Sequence, residues 1–213
     1  MTSLAPPRRG PLSGRMPSLL GRVRGAGKGH LPVWPIDSSH PPPKGRFIAL
    51  VPGAAAPLVE VDLPPGLRGP ARATVARRQL IDRLGLDLSE VELRPAPLAG
   101  DRRQWEAMLM VRRADLAAWR ERLAPHGKAV QAILPDYLAL PAGADVWTIR
   151  VADGPDPAVQ VRLGPGDGFS TEAPLAALAL TRALEEAGRA RPRAILRLGP
   201  ALPELDTALD KAL

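Results

Sequence analysis

The sequence predicts a mixed α/β fold made of two halves with one element order: two or three strands, a helix, a strand and a helix. Three observations lead to it. Short runs of alternating apolar residues are interleaved with stretches whose apolar spacing is helical. Pro and Gly punctuate these runs at regular intervals, with 26 Pro and 20 Gly in 213 residues. Hydrophobic residues make up 45% of the chain and aromatics 3%, so a sizeable core of Leu, Val, Ile and Ala is available. The divisions expected are a basic arm over 1–45, a first half over 46–141 and a second over 146–213.

Residues 1–45 are rich in Pro, Gly and Arg and include the run Pro41-Pro42-Pro43. Such composition predicts disorder, and with it a segment whose removal costs little stability. The arm reads either as a basic tether for an anionic membrane surface or as an unselected extension, with Met16 as a later start.

Order is expected from Phe47 to Val51, an apolar run closed by Pro52-Gly53. "PLVEVDLPPG" alternates Leu58, Glu60 and Asp62 against Val59 and Val61, and is expected to pair with it. Val75, Leu80, Ile81 and Leu84 have helical spacing, and Gly85 is the natural stop. "RQWEAMLMVRR" reads as a strand with Trp105, Ala107, Leu109 and Val111 on one face. "ADLAAWRERLAPHG" reads as a helix, with Asp115 near its start and the stripe Leu116, Trp119 and Leu123 facing the core. "AVQAILP" is the next strand, running on to "PDYLALP".

The order then restarts. Trp147, Ile149 and Val151 are expected to point inward, with Thr148 and Arg150 outward. Val159, Val161 and Leu163 alternate likewise against Gln160 and Arg162. Asp153 to Pro157 is the turn between them. "GFSTE" reads as a short third strand, "APLAALALTRALEEAGRA" as a helix between Glu172 and Gly188, "RAILRLG" as a strand and "LPELDTALDKAL" as a last helix. The repeat is one of element order only. Duplicated ββ(β)αβα units are the pattern of the actin-like (ribonuclease H-like) ATPase superfamily, with mixed sheets and two subdomains facing a cleft. The second unit stops before its final strand.

Charge narrows the function classes. The net charge is +7, and residues 1–46 hold eight Lys/Arg against the single acid Asp37. The remaining 21 basic and 21 acidic residues cancel. A nucleic-acid-binding body is therefore disfavoured, and few aromatics exist to stack bases. With no Cys, disulfides, thiolate metal sites and Cys nucleophiles are excluded. No apolar run reaches the roughly 18–20 residues of a membrane-spanning helix. "PSLLGRVRGAG" is no signal-peptide core, so the expectation is a soluble chain that is not exported.

"ALVPG", "LVEVDLPPGLRG", "RRQLIDRL", the run from Pro135 through Asp136 and Tyr137 to Pro141, the Trp147 strand and Gly168-Phe169 together resemble the cytoplasmic domain of the type II secretion system protein L (GspL) family. The likeness spans about Phe47 to Leu213, and its most specific piece is Pro135–Pro141. The resemblance implies an actin-like cytoplasmic domain followed by one membrane helix and a small periplasmic domain. It also implies a non-enzymatic adaptor at the cytoplasmic face of the bacterial inner membrane. Its implied partners are the secretion ATPase (the type II system E protein) and the platform proteins M and F, and it is compatible with a homodimer. Without a membrane helix, this chain is expected to be a partial member or a cytosolic fragment.

The alternative is an actin-like assembly protein that still binds ATP. Such ATPases cradle phosphates with backbone amides at two hairpins carrying Asp-x-Gly-Thr-like sequences. Here the first hairpin, "VPGAAAPLVEV", has a glycine but neither acid nor hydroxyl. The second, "VADGPDPAVQV", keeps Asp153 and Gly154, but Pro155 and Pro157 remove two N–H donors. Asp153 and Gly154 are read as degenerate phosphate-loop positions serving an ordinary turn, and no cofactor is expected.

The other motifs are weaker. "GRVRGAGKGH" imitates a phosphate-binding loop, but Arg22 stands six before Lys28 where Gly is needed, and Gly29 replaces Ser or Thr. His30, His40 and His126 are scattered, without the clustering a metal needs. Ser170 and Thr171 read as strand or cap residues. Glu185, Glu186, Arg189, Arg191 and Arg193 read as solvated charges, and Arg120, Glu121 and Arg122 as the polar side of the Trp119 helix. No acid, base, nucleophile or metal set emerges.

Overall fold

The structure is a computed structural model, and it describes residues 31–64, 66–67, 69–85, 89–95, 107–143, 145–187 and 191–212. The fold class is mixed α/β, as expected. Among the described residues, ten strands form three sheets, with four α-helices.

The first sheet has the order β1-β2-β6, with β1 Val33–Pro35, β2 Phe47–Val51 and β6 Val130–Pro135 all parallel. Every residue of β2 is buried, which explains its unbroken apolar run. The presence of β1 corrects the expected boundary at residue 45. Trp34 is 7% exposed and Ile36 1% exposed. Ile36 N–H donates to the Leu50 carbonyl at 2.7 Å, and Ile48 N–H to that of Pro32 at 2.9 Å. Three buried or paired positions inside a Pro-rich stretch give no periodic pattern, so composition hid the strand. The phosphate-loop-like "GRVRGAGKGH" and His30 lie outside the described residues.

The second sheet is antiparallel, with the order β3-β5-β4: β3 Leu58–Glu60, β5 Ala107–Arg112 and β4 Val91–Pro95. The expected pairing of the Leu58 strand with β2 is therefore corrected. Both edges of β2 are taken by β1 and β6, and a 3-10 turn at Gly53–Ala55 turns the chain away. α1, Gly69–Leu84, packs Ala76 and Leu80 against Val61 and Met108. Ile81 and Leu84, expected in that stripe, remain exposed. Gly85 does end the helix. Its φ is 62° and its N–H donates to Ile81 at 2.9 Å, a left-handed cap that suits glycine. Both faces of β5 are covered: Met108 and Met110 face α1, while Val111 joins Trp34 and Phe47. The single apolar face expected there is thus corrected, and Trp105 lies outside the described residues. α2, Arg113–Leu123, lays Leu116, Trp119 and Leu123 on that same core, as expected.

The third sheet has the order β10-β7-β8-β9, with β7 Val146–Val151, β8 Ala158–Gly164, β9 Asp167–Glu172 and β10 Ala194–Leu198. β10 is parallel to β7 and the others are antiparallel. α3, Ala173–Glu186, and α4, Pro203–Ala212, cover one face. Ala176, Leu180 and Leu184 recur every fourth residue of α3, and all are fully buried against Ile149, Val159 and Val161. This half follows the expected element order. The first half keeps that order along the chain, with β1 and β4 added, but its strands are divided between two sheets.

Candidate functional site

The face of the third sheet away from α3 and α4 carries Thr148, Gln160, Arg162 and Ser170, and these four are buried. Gln160 is 9% exposed, Arg162 6%, and Thr148 is fully buried. The outward, solvated positions expected for these three residues are corrected. Strand alternation predicted which face they share, but not that another segment covers it. Arg150, next on that face, is exposed.

The cover is the segment after β6. Pro135 ends the strand, and Asp136–Ala139 forms a 3-10 turn in place of the continued extended run expected from "PDYLALP". The Thr148 hydroxyl donates to the Pro141 carbonyl at 2.9 Å, fixing the far end of the segment on β7.

Asp136 is the centre of this junction. Its Oδ1 accepts the Gly53 N–H at 3.1 Å, the Ser170 hydroxyl at 2.9 Å and the Tyr137 N–H at 2.7 Å. Its Oδ2 accepts Nε2 of Gln160 at 2.7 Å. Gln160 and Ser170 are cross-strand partners on β8 and β9, so both reach the carboxylate from one face. Arg150 Nη1 donates to Oε1 of Gln160 at 3.4 Å, which orients its amide toward Asp136. Burial raises the Asp136 carboxyl above its ordinary range, and the four donors offset only part of that rise. The four partners are all donors, which is the set an ionised carboxylate requires.

Tyr137 fills the space beside it. The side chain is fully buried, and its hydroxyl donates to the Ala56 carbonyl at 2.8 Å. Burial, reinforced by the Asp136 charge, pushes the phenol well above its usual range. Two glycines flank the ring. A Cβ on Gly53 would lie 2.4 Å from Tyr137 Cδ1 and 2.5 Å from Asp136 Oδ1. A Cβ on Gly168 would lie 2.5 Å from the Val161 carbonyl oxygen and 3.0 Å from Tyr137 Cδ2. The Gly53→Ala variant is accordingly expected to lose roughly 3 kcal/mol, since the buried Tyr137 ring and the hydrogen-bonded Asp136 carboxylate would both have to shift. Urea unfolding of the two proteins would measure it, and an unchanged midpoint would contradict the packing described.

Arg162 lies on the same covered face. One Nη donates to the Pro165 carbonyl, whereas Nε and the other Nη are buried without a hydrogen-bond partner among the described residues. Burial lowers its pKa, opposed by the nearby Tyr137 and Asp167.

Of the residues singled out in the sequence, Ser170 is brought into the junction, and Gly53, in the turn between β2 and β3, joins it. Asp153 and Gly154 are not brought there by any hydrogen bond described. They sit on the exposed turn between β7 and β8, closed by Ala152 N–H donating to Ala158 at 2.9 Å, with Gly154 at φ 131°. His126 packs its ring edge-on to Trp34 and Phe47, at 6.1 and 5.9 Å. His40 contributes its carbonyl to the Trp34 indole N–H. Among the described residues, no three His, Asp or Glu side chains group as metal ligands, and no helix is long and apolar enough to cross a membrane.

No family model matches the chain, and no curated protein does. Similar solved structures include the cytoplasmic domain of EpsL, an inner membrane component of the type II secretion system of Vibrio cholerae. It shares 20% identity over 78% of this chain and 74% of that one, with a TM-score of 0.44. Another is a Bacteroides thetaiotaomicron protein of unknown function with an actin-like ATPase fold. It shares 9% identity over 78% of this chain and 64% of that one, with a TM-score of 0.41.

Proposed function

We propose that this chain is an actin-like, non-enzymatic adaptor of the type II secretion inner-membrane platform, and that it recruits the secretion ATPase at the cytoplasmic face of the membrane. The observation that carries the reading is the use made of the Pro135–Pro141 segment, the piece of sequence most like the protein L family. Its Asp136 accepts the N–H of Gly53, a backbone donor in the turn after β2, the stretch where an actin-like ATPase would offer amides to a phosphate. A segment engaged in this way acts as a brace, and the Gly53 amide is already taken by Asp136. The platform proteins M and F are the further partners this reading implies.

Two measurements test it. Calorimetric titration with Mg-ATP at millimolar concentration is expected to give no saturable heat; a saturable, Mg-dependent signal would favour the ATP-binding alternative. Pull-down with the cognate secretion ATPase is expected to retain it. Residues 47–213 carry no net charge, so added salt should alter the association rate little. Failure to retain the ATPase, by this chain and by one extended toward a membrane helix alike, would refute the adaptor role.

A further inference from the structure

We infer that Asp136 is a tethered anion: its carboxylate permanently occupies a four-donor oxyanion site, so the junction is held closed by a ligand that is part of the chain. The geometry is that of an anion receptor. Three N–H groups and one hydroxyl converge on two oxygens at 2.7 to 3.1 Å. They come from three separate parts of the fold: the Gly53 turn, the Asp136–Ala139 turn, and the paired strands β8 and β9. No one of these parts could assemble the site alone. The anion therefore joins them, as a diffusible phosphate or carboxylate would in a ligand-gated junction. Attaching the anion covalently removes the dependence on ligand concentration, because a tethered group acts at a very high effective concentration. The closed arrangement is then the same with or without small anions in the surroundings. This inference stands on the donor geometry and holds whether or not the chain is an adaptor. If the adaptor reading is correct, recruitment of the partner is not gated by nucleotide.

The inference predicts chemical rescue. Removing the carboxylate in the full chain with Asp136→Ala leaves four donors facing a void that formate matches in size and charge. Acetate fits less well, because the alanine Cβ occupies the place of its methyl group. At neutral pH the variant is expected to melt about 5 °C below the parent in chloride. About 100 mM formate should restore roughly 3 °C in a saturable way, with acetate weaker and the parent unresponsive at equal ionic strength. Asp136→Asn, whose amide fills the void, should be destabilised and not rescued. If Asp136→Ala does not fold in chloride, its refolding yield from denaturant in formate against chloride reads the same effect. The inference is overturned if formate shifts parent and alanine variant equally, if it rescues the asparagine variant to the same extent, or if it raises neither the melting temperature nor the refolding yield of the alanine variant.

Discussion

A chain begun at residue 46 is expected to lose roughly 5 kcal/mol of stability or more, enough to leave a domain of ordinary stability largely unfolded. The cut removes β1. With it go Trp34 and Ile36, which pack on Phe47, Ala49 and Val51, and the backbone bonds that tie Pro32 and Ile36 to β2. Truncating one large buried side chain already costs about 2–5 kcal/mol, and here two are lost together. The cut would also bare one edge of β2, an invitation to self-association. A chain begun at residue 31 keeps all of these contacts and is the proper control. Denaturant melts of the two truncations should differ by the full amount. Equal midpoints would mean that β1 contributes nothing to the core.

Strong periods were read correctly: Ala176, Leu180 and Leu184 on α3, the alternation of β7 and β8, and the glycine stop at Gly85. Long-range assignments were not. β4 contains only Val91 and Leu93 between charged residues, and only its pairing with β5 makes it a strand. Pairing of β3 with β2 looked local and cheap, but parallel neighbours on both sides of β2 excluded it. The junction was missed for a related reason. Thr148, Gln160 and Arg162 have the polarity of a solvated face, and no local pattern distinguishes that from a face covered by another polar segment. One signal was present: Asp136-Tyr137 stood inside the most recognisable motif of the chain without any role as acid, base or ligand. A buried brace is a role that motif reading does not search for.

Tyr137→Ala is expected to be the most damaging single substitution in the junction, at roughly 4 kcal/mol. The ring is fully enclosed, and the glycines on either side of it lack the side chains that could collapse into the space. Residual cavity volume sets the cost of such truncations, so a site walled by backbone should lie toward the upper end of the range. The Ala56 carbonyl would also lose its donor. Tyr137→Phe separates the two contributions. It keeps the packing and removes only the hydroxyl, so about 1–2 kcal/mol should be lost, the cost of leaving a buried acceptor unpaired. Amide hydrogen exchange would locate the damage. Faster exchange in the alanine variant should appear at Gly53 and along β9, which meet the ring, while the helix-covered face around Ile149 and Leu180 stays protected until global unfolding. Uniform loss of protection across both faces, or a phenylalanine variant as unstable as the alanine one, would contradict a brace made mainly by ring packing between Gly53 and Gly168.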